Sequence, residues 1–373
     1  MLEIFIYPVS AVMKFWHYFL HTVVGFTDSQ AWVFSIFGLI VVVRALIAPT
    51  QWFILKSGRI STIMRPRIVA LHAEYEDEVD PAKLKEMARR EREIQKELGY
   101  TNAAGCIPPL IQIPFFIGLY QVLLRMARPK EGLDSQLHQP IGWLTSNDVS
   151  SFLSARYGDV ALPAYISMSS EQLQRLETTY EAVIQFNVPL ILVAGIITSI
   201  NLTISTVRNR FAMDHESRVA EVLLKWMAWA IPLVPLLLLQ AGVTGPIPAA
   251  IAMYWGANNL WTLVQNATIY LILYRVMPYG EDVKQHQYTK REERLERQRI
   301  RRRMRWRRRL ALVGFIVAPW KYTRHAEALS QANNYFREQK AARKERKLKR
   351  KELKTKRIQA RREARLRNQQ EEH

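Results

Sequence analysis

The sequence has 373 residues, of which 49% are hydrophobic and 23% are charged, and its formal net charge is +20. Of its 53 Lys/Arg and 33 Asp/Glu, residues 275–373 carry 32 and 12, which leaves 21 of each sign before that tail. The single cysteine, Cys106, excludes an intrachain disulfide and a cysteine metal cluster. Separate apolar and charged blocks of this kind predict a membrane protein with a basic tail that attracts polyanions.

Residues 1–30 are predicted to form an extracytoplasmic helix that lies in the membrane interface. The segment mixes aromatic residues with Lys14, His17 and His21, a composition typical of interfacial helices. A short span is the alternative. Because the first residues lack the basic region and cleavage site of a secretory signal peptide, we expect the segment to be retained.

The first predicted span, residues 31–55, carries one cation, Arg44, near the middle of its apolar run. Such a run can cross a hydrocarbon core of about 30 Å. Burying the cation costs from about 2.5 to more than 10 kcal/mol, depending on how much water reaches it. No Asp or Glu lies within another predicted span. The sequence therefore favours a functional arginine that faces a hydrated cavity over one paired structurally with a carboxylate.

Residues 56–104 are polar and densely charged, and they predict a cytoplasmic helical hairpin with helices near 64–79 and 82–98. Asp80 and Pro81 fit an N-cap followed by proline at the first helical position, and Gly99 fits a C-terminal stop. A solvated loop is the alternative.

Residues 105–274 are predicted to hold four more spans and an extracytoplasmic loop at 125–183. Prolines in the second and fourth of the five spans free backbone carbonyls that protein or water must satisfy. Polar side chains also lie within these spans, where they require partners or water. They include Gln112, Asn201, Tyr254, Asn258, Thr262 and Gln265, with Trp255, Asn259 and Asn266 beside them.

The distribution of Lys and Arg predicts an extracytoplasmic N-terminus, with the hairpin and the tail in the cytoplasm. The expected location is a bacterial plasma membrane, with an organelle as the alternative. The basic tail, residues 275–373, is expected to bind ribosomal RNA. Attraction to anionic lipids, or a merely solvated extension, are the other interpretations.

The residues do not favour an enzyme, since no Walker loop, dinucleotide fingerprint or zinc-protease motif is present. No cofactor or metal site is expected. Two classes of membrane protein remain. A small-molecule or ion transporter typically has repeated halves with matching broken helices, whereas five spans do not divide equally. A protein-handling device explains more, because a polar groove lowers the cost of moving a short hydrophilic segment, above all an acidic one, part way across the bilayer.

Three motifs resemble the YidC family of membrane protein insertases, which are related to mitochondrial Oxa-type and chloroplast Albino-type proteins. They are the run Val-Val-Val-Arg-Ala-Leu-Ile-Ala-Pro at 41–49, Gly-Cys-Ile-Pro-Pro-Leu-Ile-Gln-Ile-Pro at 105–114 followed by Tyr120, and Met-Tyr-Trp-Gly-Ala-Asn-Asn at 253–259. The resemblance covers about residues 1–275. It implies an all-α fold of five transmembrane helices around a polar groove, which opens to the cytoplasm and the lipid.

The resemblance also implies a function: inserting membrane proteins, alone or beside the Sec translocon, without nucleotide hydrolysis by this chain. The expected partners are nascent membrane proteins, the ribosome, the Sec translocon and anionic lipids, and the core is expected to be monomeric. By the same resemblance Arg44 lies in the groove, and Gln112, Tyr254 and Trp255 line or flank it. With the polar faces of the spans added, the predicted groove residues are Arg44, Gln112, Asn201, Tyr254, Trp255, Asn258, Asn259 and Gln265.

Overall fold

The protein is almost entirely helical in a computed structural model. The structure describes residues 2–100, 107–135, 137–215 and 217–371, without the side chains of 2, 107–112, 367, 368 and 371. Two-residue strands β1 (Arg156–Tyr157) and β2 (Val160–Ala161) form one antiparallel pair. The helices are α1 (Ile6–Tyr18), α2 (Asp28–Glu74), α3 (Pro81–Glu97), α4 (Ile107–Ala127), α5 (Ser146–Ser154), α6 (Ser170–Arg175), α7 (Tyr180–Ala212), α8 (Arg218–Thr244), α9 (Ala249–Val276), α10 (Glu281–Val317) and α11 (Tyr322–Glu371).

Helices α2, α4, α7, α8 and α9 occupy the positions of the five predicted spans. Among the described residues, α2, α7 and α8 are long and apolar enough to cross a membrane, and residues 113–127 of α4 form a shorter apolar stretch. Helix α9 has 28 residues, which exceeds a 30 Å core at a rise of about 1.5 Å per residue. Its polar faces keep its hydropathy below that of the other three. The predicted fold class, an all-α polytopic membrane protein, is confirmed.

The chain divides into two compact units. The first comprises residues 1–59, 101–213 and 219–278, and therefore contains the predicted spans. The second comprises residues 60–100, 214–218 and 279–373, which include the hairpin and the tail. Helix α2 contributes to both units, because it continues through Pro49, Gly58 and Pro66 to Glu74 without a break.

In the first unit, a large apolar core joins α1, the first part of α2, α4, α5 and the start of α9. Close packing of α4 on the N-terminal segment explains Gly118, since a Cβ there would lie 2.5 Å from the carbonyl oxygen of Phe5. This core includes residues from the N-terminal halves of both α2 and α9. Its largest fully buried side chains include Met13, Trp32, Ile36, Leu123, Met126, Phe152 and Ile251.

The loop between α4 and α7 is a folded element. Thr145 and Asp148 form a reciprocal capping box at the start of α5, and Lys14 of α1 binds the Asp148 carboxylate at 3.1 Å. The backbone nitrogen of Ala249 donates to the carbonyl oxygen of Ala164 at 2.8 Å. The loop is thereby bonded to the first turn of α9, and it helps to position that helix.

In the second unit, the end of α2 and helix α3 form the predicted helical hairpin. Ion pairs cross between them, at 3.1 Å for Arg67 and Glu97 and at 3.4 Å for Arg90 and Glu74. Asp80 caps α3 by accepting from the backbone nitrogen of Ala82 at 2.9 Å. The hairpin's first helix is continuous with α2 and ends at Glu74, five residues earlier than the sequence indicates.

The tail consists of helices α10 and α11, a folded state that the sequence analysis does not predict. Arg307 donates to Gln331 at 3.3 Å across the two helices. Helix α11 then reaches the tip of the hairpin, where Lys349 pairs with Asp77 at 3.0 Å. Arg357 donates to the carbonyl oxygens of three tip residues at 2.9 to 3.2 Å. These residues are Tyr75, Glu76 and Glu78.

Candidate functional site around Arg44

Arg44 is buried in the first unit, with 5% of its surface exposed. Its Nε and one terminal nitrogen donate to the same side-chain oxygen of Asn258, at 2.9 and 2.6 Å. The terminal nitrogen also lies 3.4 Å from the Asn258 carbonyl oxygen. This arrangement uses the planar fork of the guanidinium, which lysine cannot reproduce. Because the partner is a neutral amide, the positive charge of Arg44 is held in place without being cancelled.

A small cavity of about 30 Å³ lies beside the guanidinium. It has room for one or two water molecules, since a water needs at least about 10–15 Å³ of such space. Most of its lining is apolar and comes from α2 and α4, while α9 supplies two polar residues. The lining residues are Leu39, Val43, Arg44, Ile47, Phe115, Phe116, Leu119, Tyr254 and Asn258.

The α4 side of this cavity is an aromatic flank that the sequence analysis missed. Phe115, Phe116 and Leu119 contribute it, and Phe116 is 45% exposed. Apolar side chains are common throughout the spans, so these three do not stand out by residue type. Their helical spacing of three and four residues was the available signal.

Two of the predicted groove residues join α9 to α7 instead of facing Arg44. Asn201 donates to the backbone oxygen of Asn259 at 3.2 Å. Asn259 in turn donates to the backbone oxygen of Ala194 at 3.4 Å. Each side-chain amide thus donates to a backbone carbonyl oxygen of the other helix. These hydrogen bonds provide the partners that polar groups in a spanning helix require.

The remaining predicted groove residues occupy different positions. Tyr254 is buried and lines the cavity beside Arg44. Trp255 is half-buried and packs against the main apolar core. The side-chain nitrogen of Gln265 is buried and has no hydrogen-bond partner in the described part of the chain. Gln112 lies on α4, but its side chain is outside the described residues.

A second arginine of the first unit, Arg208 at the end of α7, also binds α9. Its guanidinium lies 4.6 Å from the centre of the Tyr270 ring and donates to the Tyr270 hydroxyl. Among the described residues, Arg44 thus contacts α9 in its first half, at Asn258, and Arg208 contacts it near its end, at Tyr270.

The comparisons with known proteins agree with this architecture. The family model of the 60Kd inner membrane protein matches residues 23–287. A relative in Corynebacterium glutamicum, "Membrane protein insertase YidC", is 44% identical over 349 residues, which cover 92% of this chain and 83% of the relative. This chain belongs to the YidC family.

Other YidC relatives support the assignment over much of the chain. The Corynebacterium efficiens protein of the same name is 43% identical over 92% of this chain and 88% of its own length. The Mycobacterium tuberculosis protein is 30% identical over 72% of each chain. The family resemblance inferred from the three motifs is confirmed. Together with the apolar helices, it identifies a multi-pass membrane protein of the YidC family.

Proposed function

We propose that this YidC-family chain is a membrane protein insertase in which the site around Arg44 receives hydrophilic segments of nascent membrane proteins. Curated relatives carry that name. The observation on which the mechanism rests is the fork from Arg44 to Asn258, which holds a full positive charge inside the apolar unit on a neutral partner. An uncancelled charge at that depth attracts an acidic segment and lowers the cost of its entry.

The aromatic flank completes the mechanism. A nascent membrane protein presents a polar segment next to an apolar helix, and each requires a different surface. The polar segment binds at Arg44 and Asn258, while the apolar helix packs on Phe116 and the exposed Ile113 of α4. The polar segment then has a shorter stretch of the hydrocarbon core to cross, and its backbone groups lack hydrogen bonds over a shorter distance.

We propose that the protein lies in the plasma membrane. In this topology residues 1–30 are outside the cell, and the hairpin, residues 56–104, is in the cytoplasm. Residues 31–55 and the later spans within 105–274 cross the bilayer, with the loop at 125–183 outside. The basic tail, residues 275–373, is cytoplasmic, because excess Lys and Arg is retained on that side.

The partners in this proposal are nascent membrane proteins, ribosomal RNA and anionic lipids at the tail, and the Sec translocon for some clients. The insertase works as a monomeric core, is not an enzyme and uses no cofactor. A small-molecule transporter is a poorer fit, since the cavity beside Arg44 holds about 30 Å³, well below the roughly 300–1,000 Å³ of small-molecule sites.

Reconstitution tests the proposed function. The purified chain is placed in liposomes, and a small membrane protein with one short acidic translocated segment is translated in their presence. Protease protection of that segment should rise well above the level in protein-free liposomes. A soluble protein of similar length serves as the control and should stay fully accessible. Equal protection of the client with and without the chain would overturn the proposal.

A further inference from the structure

The second unit contains a cavity of about 290 Å³ that the insertase mechanism does not use. Three chain segments line it: the part of α2 after Ile60, the loop between α7 and α8, and the start of α10. Its size is close to the lower end of ligand sites, roughly 300 Å³. Its polar lining includes Arg65, His72, His215, His286, Gln287 and Lys290.

Two polar side chains at this cavity are buried with an unpartnered nitrogen. His215 is 8% exposed and Gln287 is 2% exposed. The Nδ1 of His215 and the Nε2 of Gln287 have no hydrogen-bond partner within the described part of the chain. An amide nitrogen can only donate, and a buried donor without an acceptor costs about 1–3 kcal/mol. The Gln287 amide therefore requires an acceptor in the cavity, and His215 can donate to the same acceptor in its Nδ1–H tautomer.

The charges around the cavity specify the kind of acceptor. Arg65 and Lys290 are donors only, and Asp214 is the one carboxylate in the described lining. Burial lowers the pKa of His215, and the positive charges of Arg294, Arg65 and Arg291 lower it further, while Asp214 opposes them. The histidine thus experiences a net positive environment.

We propose that this cavity binds an anionic phosphoryl group, carried by a soluble phosphate compound or by a lipid headgroup. Phosphoryl oxygens are acceptors, and they match both the guanidinium of Arg65 and the ammonium of Lys290. The unpartnered nitrogens of His215 and Gln287 complete the set of donors. A metal ion fits less well, because the described residues contain no group of three or more metal-ligating side chains placed to hold one.

A phosphoryl group in this cavity would bridge segments that are distant in sequence. It would touch α2 at Arg65, the α7–α8 loop at His215 and α10 at Gln287 and Lys290. Binding would therefore stabilise the second unit where the hairpin helix and the first tail helix meet. This role is separate from client binding at Arg44, and it can fail while the insertase proposal stands.

Equilibrium dialysis of the full-length protein in an uncharged detergent against labelled inorganic phosphate tests the proposal. We expect saturable binding of one phosphate per chain. Lys290→Gln should bind about ten-fold more weakly, because a hydrogen bond to a charged group contributes on that order. Gln287→Met should weaken binding similarly without lowering the unfolding temperature, since an apolar side chain removes the unpartnered buried amide.

Lys284→Gln is the matched control. Lys284 lies on the same helix, carries the same charge and pairs with Glu281 at 2.7 Å, much as Lys290 pairs with Glu293 at 3.6 Å, but it is not part of the cavity lining. Its phosphate binding should change less than about two-fold if the cavity is the site. Equal weakening by Lys284→Gln and Lys290→Gln, or no saturable binding, would show scattered binding to the basic tail and overturn the proposal.

Nanodiscs distinguish the two sources of the phosphoryl group. If a lipid headgroup occupies the cavity, phosphatidylglycerol nanodiscs should abolish phosphate binding, whereas phosphatidylcholine nanodiscs should not. Native mass spectrometry should then detect phosphatidylglycerol on the wild-type protein and much less on Gln287→Met. If phosphate binds equally in both nanodiscs and is lost in Gln287→Met, the source is soluble. Phosphate binding that Gln287→Met leaves unchanged in every environment would overturn the proposal.

Discussion

Arg44 and Asn258 lie 214 positions apart in the chain, and two nitrogens of the Arg44 guanidinium converge on one amide oxygen of Asn258. The backbone oxygen of Asn258 also accepts from the hydroxyl of Thr262 at 2.7 Å. Thr262 therefore binds the backbone of Asn258, while the side-chain oxygen of Asn258 holds the arginine. This geometry separates two contributions of Arg44, its shape and its charge, which different substitutions can remove.

Asn258→Asp should keep the fork and cancel the charge. We expect a client with an acidic translocated segment to insert about ten-fold less efficiently, since roughly 1.4 kcal/mol of lost attraction gives that factor. A client with Asn in place of the acidic residue should insert nearly as before. Arg44→Lys retains charge but loses the fork, so it should impair both clients. Protease protection of the paired clients measures these effects.

Asn266→Asp on the same helix is the control for Asn258→Asp. Asn266 is outside the cavity lining, and the substitution introduces the same negative charge into α9. Its effect on the acidic client should be much smaller. If Asn258→Asp inserts both clients as well as the wild type does, attraction by Arg44 is not part of the mechanism.

The sequence was sufficient to find Arg44, Tyr254 and Asn258, which the structure brings to one cavity, because polar side chains in apolar runs are conspicuous. It did not identify Asn258 as the partner of Arg44. A carboxylate is the expected structural partner of a buried arginine, whereas a neutral amide avoids the cost of a second buried charge. The sequence also did not predict that Asn201 and Asn259 lie in the α7–α9 contact. Helical periodicity shows which residues share a face, but not toward which neighbouring helix that face points.

The contacts between the tail and the hairpin were not predictable from the pattern of residues. Arg357 binds backbone carbonyl oxygens at the hairpin tip, and every residue has such an oxygen, so no sequence signature marks the acceptor. A run of Lys and Arg predicts affinity for any polyanion or lipid surface, but not which of its members contacts its own chain.

The proposed topology predicts labelling from opposite sides of the membrane. In a Cys106→Ser background, cysteine replaces either Ser154 or Ser330, both of which are exposed. A membrane-impermeant maleimide added to intact cells should label position 154 and leave position 330 unlabelled until the cells are opened. Ser151 is less suitable, since it is half-buried and accepts from Trp32 at 2.6 Å. Labelling of both positions from the same side would contradict the topology.

His17 predicts a pH dependence of stability. Burial lowers its pKa below the ordinary value of 6.5, although a hydrogen bond to Asp28 at 2.9 Å acts in the opposite direction. The unfolded chain therefore binds more protons near this pH, and stability is present above pH 6.5 and lost as the pH falls through the lower, folded pKa. The unfolding temperature of the wild type should fall more than that of His17→Gln between pH 7.5 and about pH 5. His21→Gln serves as the control and should follow the wild type.

Arg357 should slow the hydrogen exchange of backbone amides at the hairpin tip. Its guanidinium donates to three carbonyl oxygens there, and three hydrogen bonds to a charged group contribute about 1.5 kcal/mol or more. Arg357→Ala should accelerate hydrogen exchange at residues 75–79 about ten-fold. Arg361→Ala removes the same charge at an exposed position of the same helix and should leave these amides unchanged. Identical exchange in all three proteins would show that the Arg357 contacts do not stabilise the tip.

Helix α11 should carry much of the ribosome affinity. Truncation after Ala318 removes 18 Lys/Arg and 7 Asp/Glu, yet it keeps α10 and so the cavity residues Gln287 and Lys290. Ribosome binding is expected to weaken strongly, with a shallower dependence on salt, because fewer phosphate counterions are released. Co-sedimentation between about 50 and 200 mM salt measures both quantities.

Two controls separate charge from docking in this experiment. A chain that ends at Leu366 loses Arg367, Glu371 and Glu372 among its charged residues and should bind ribosomes as the full chain does. Arg357→Ala releases the contact with the hairpin tip and removes a single charge, so its salt dependence should remain close to that of the wild type. If the truncation after Ala318 binds as tightly as the full chain at low salt, α11 does not contact the ribosome. Binding of α11 to vesicles that contain anionic lipid would then be the expected role of its charge.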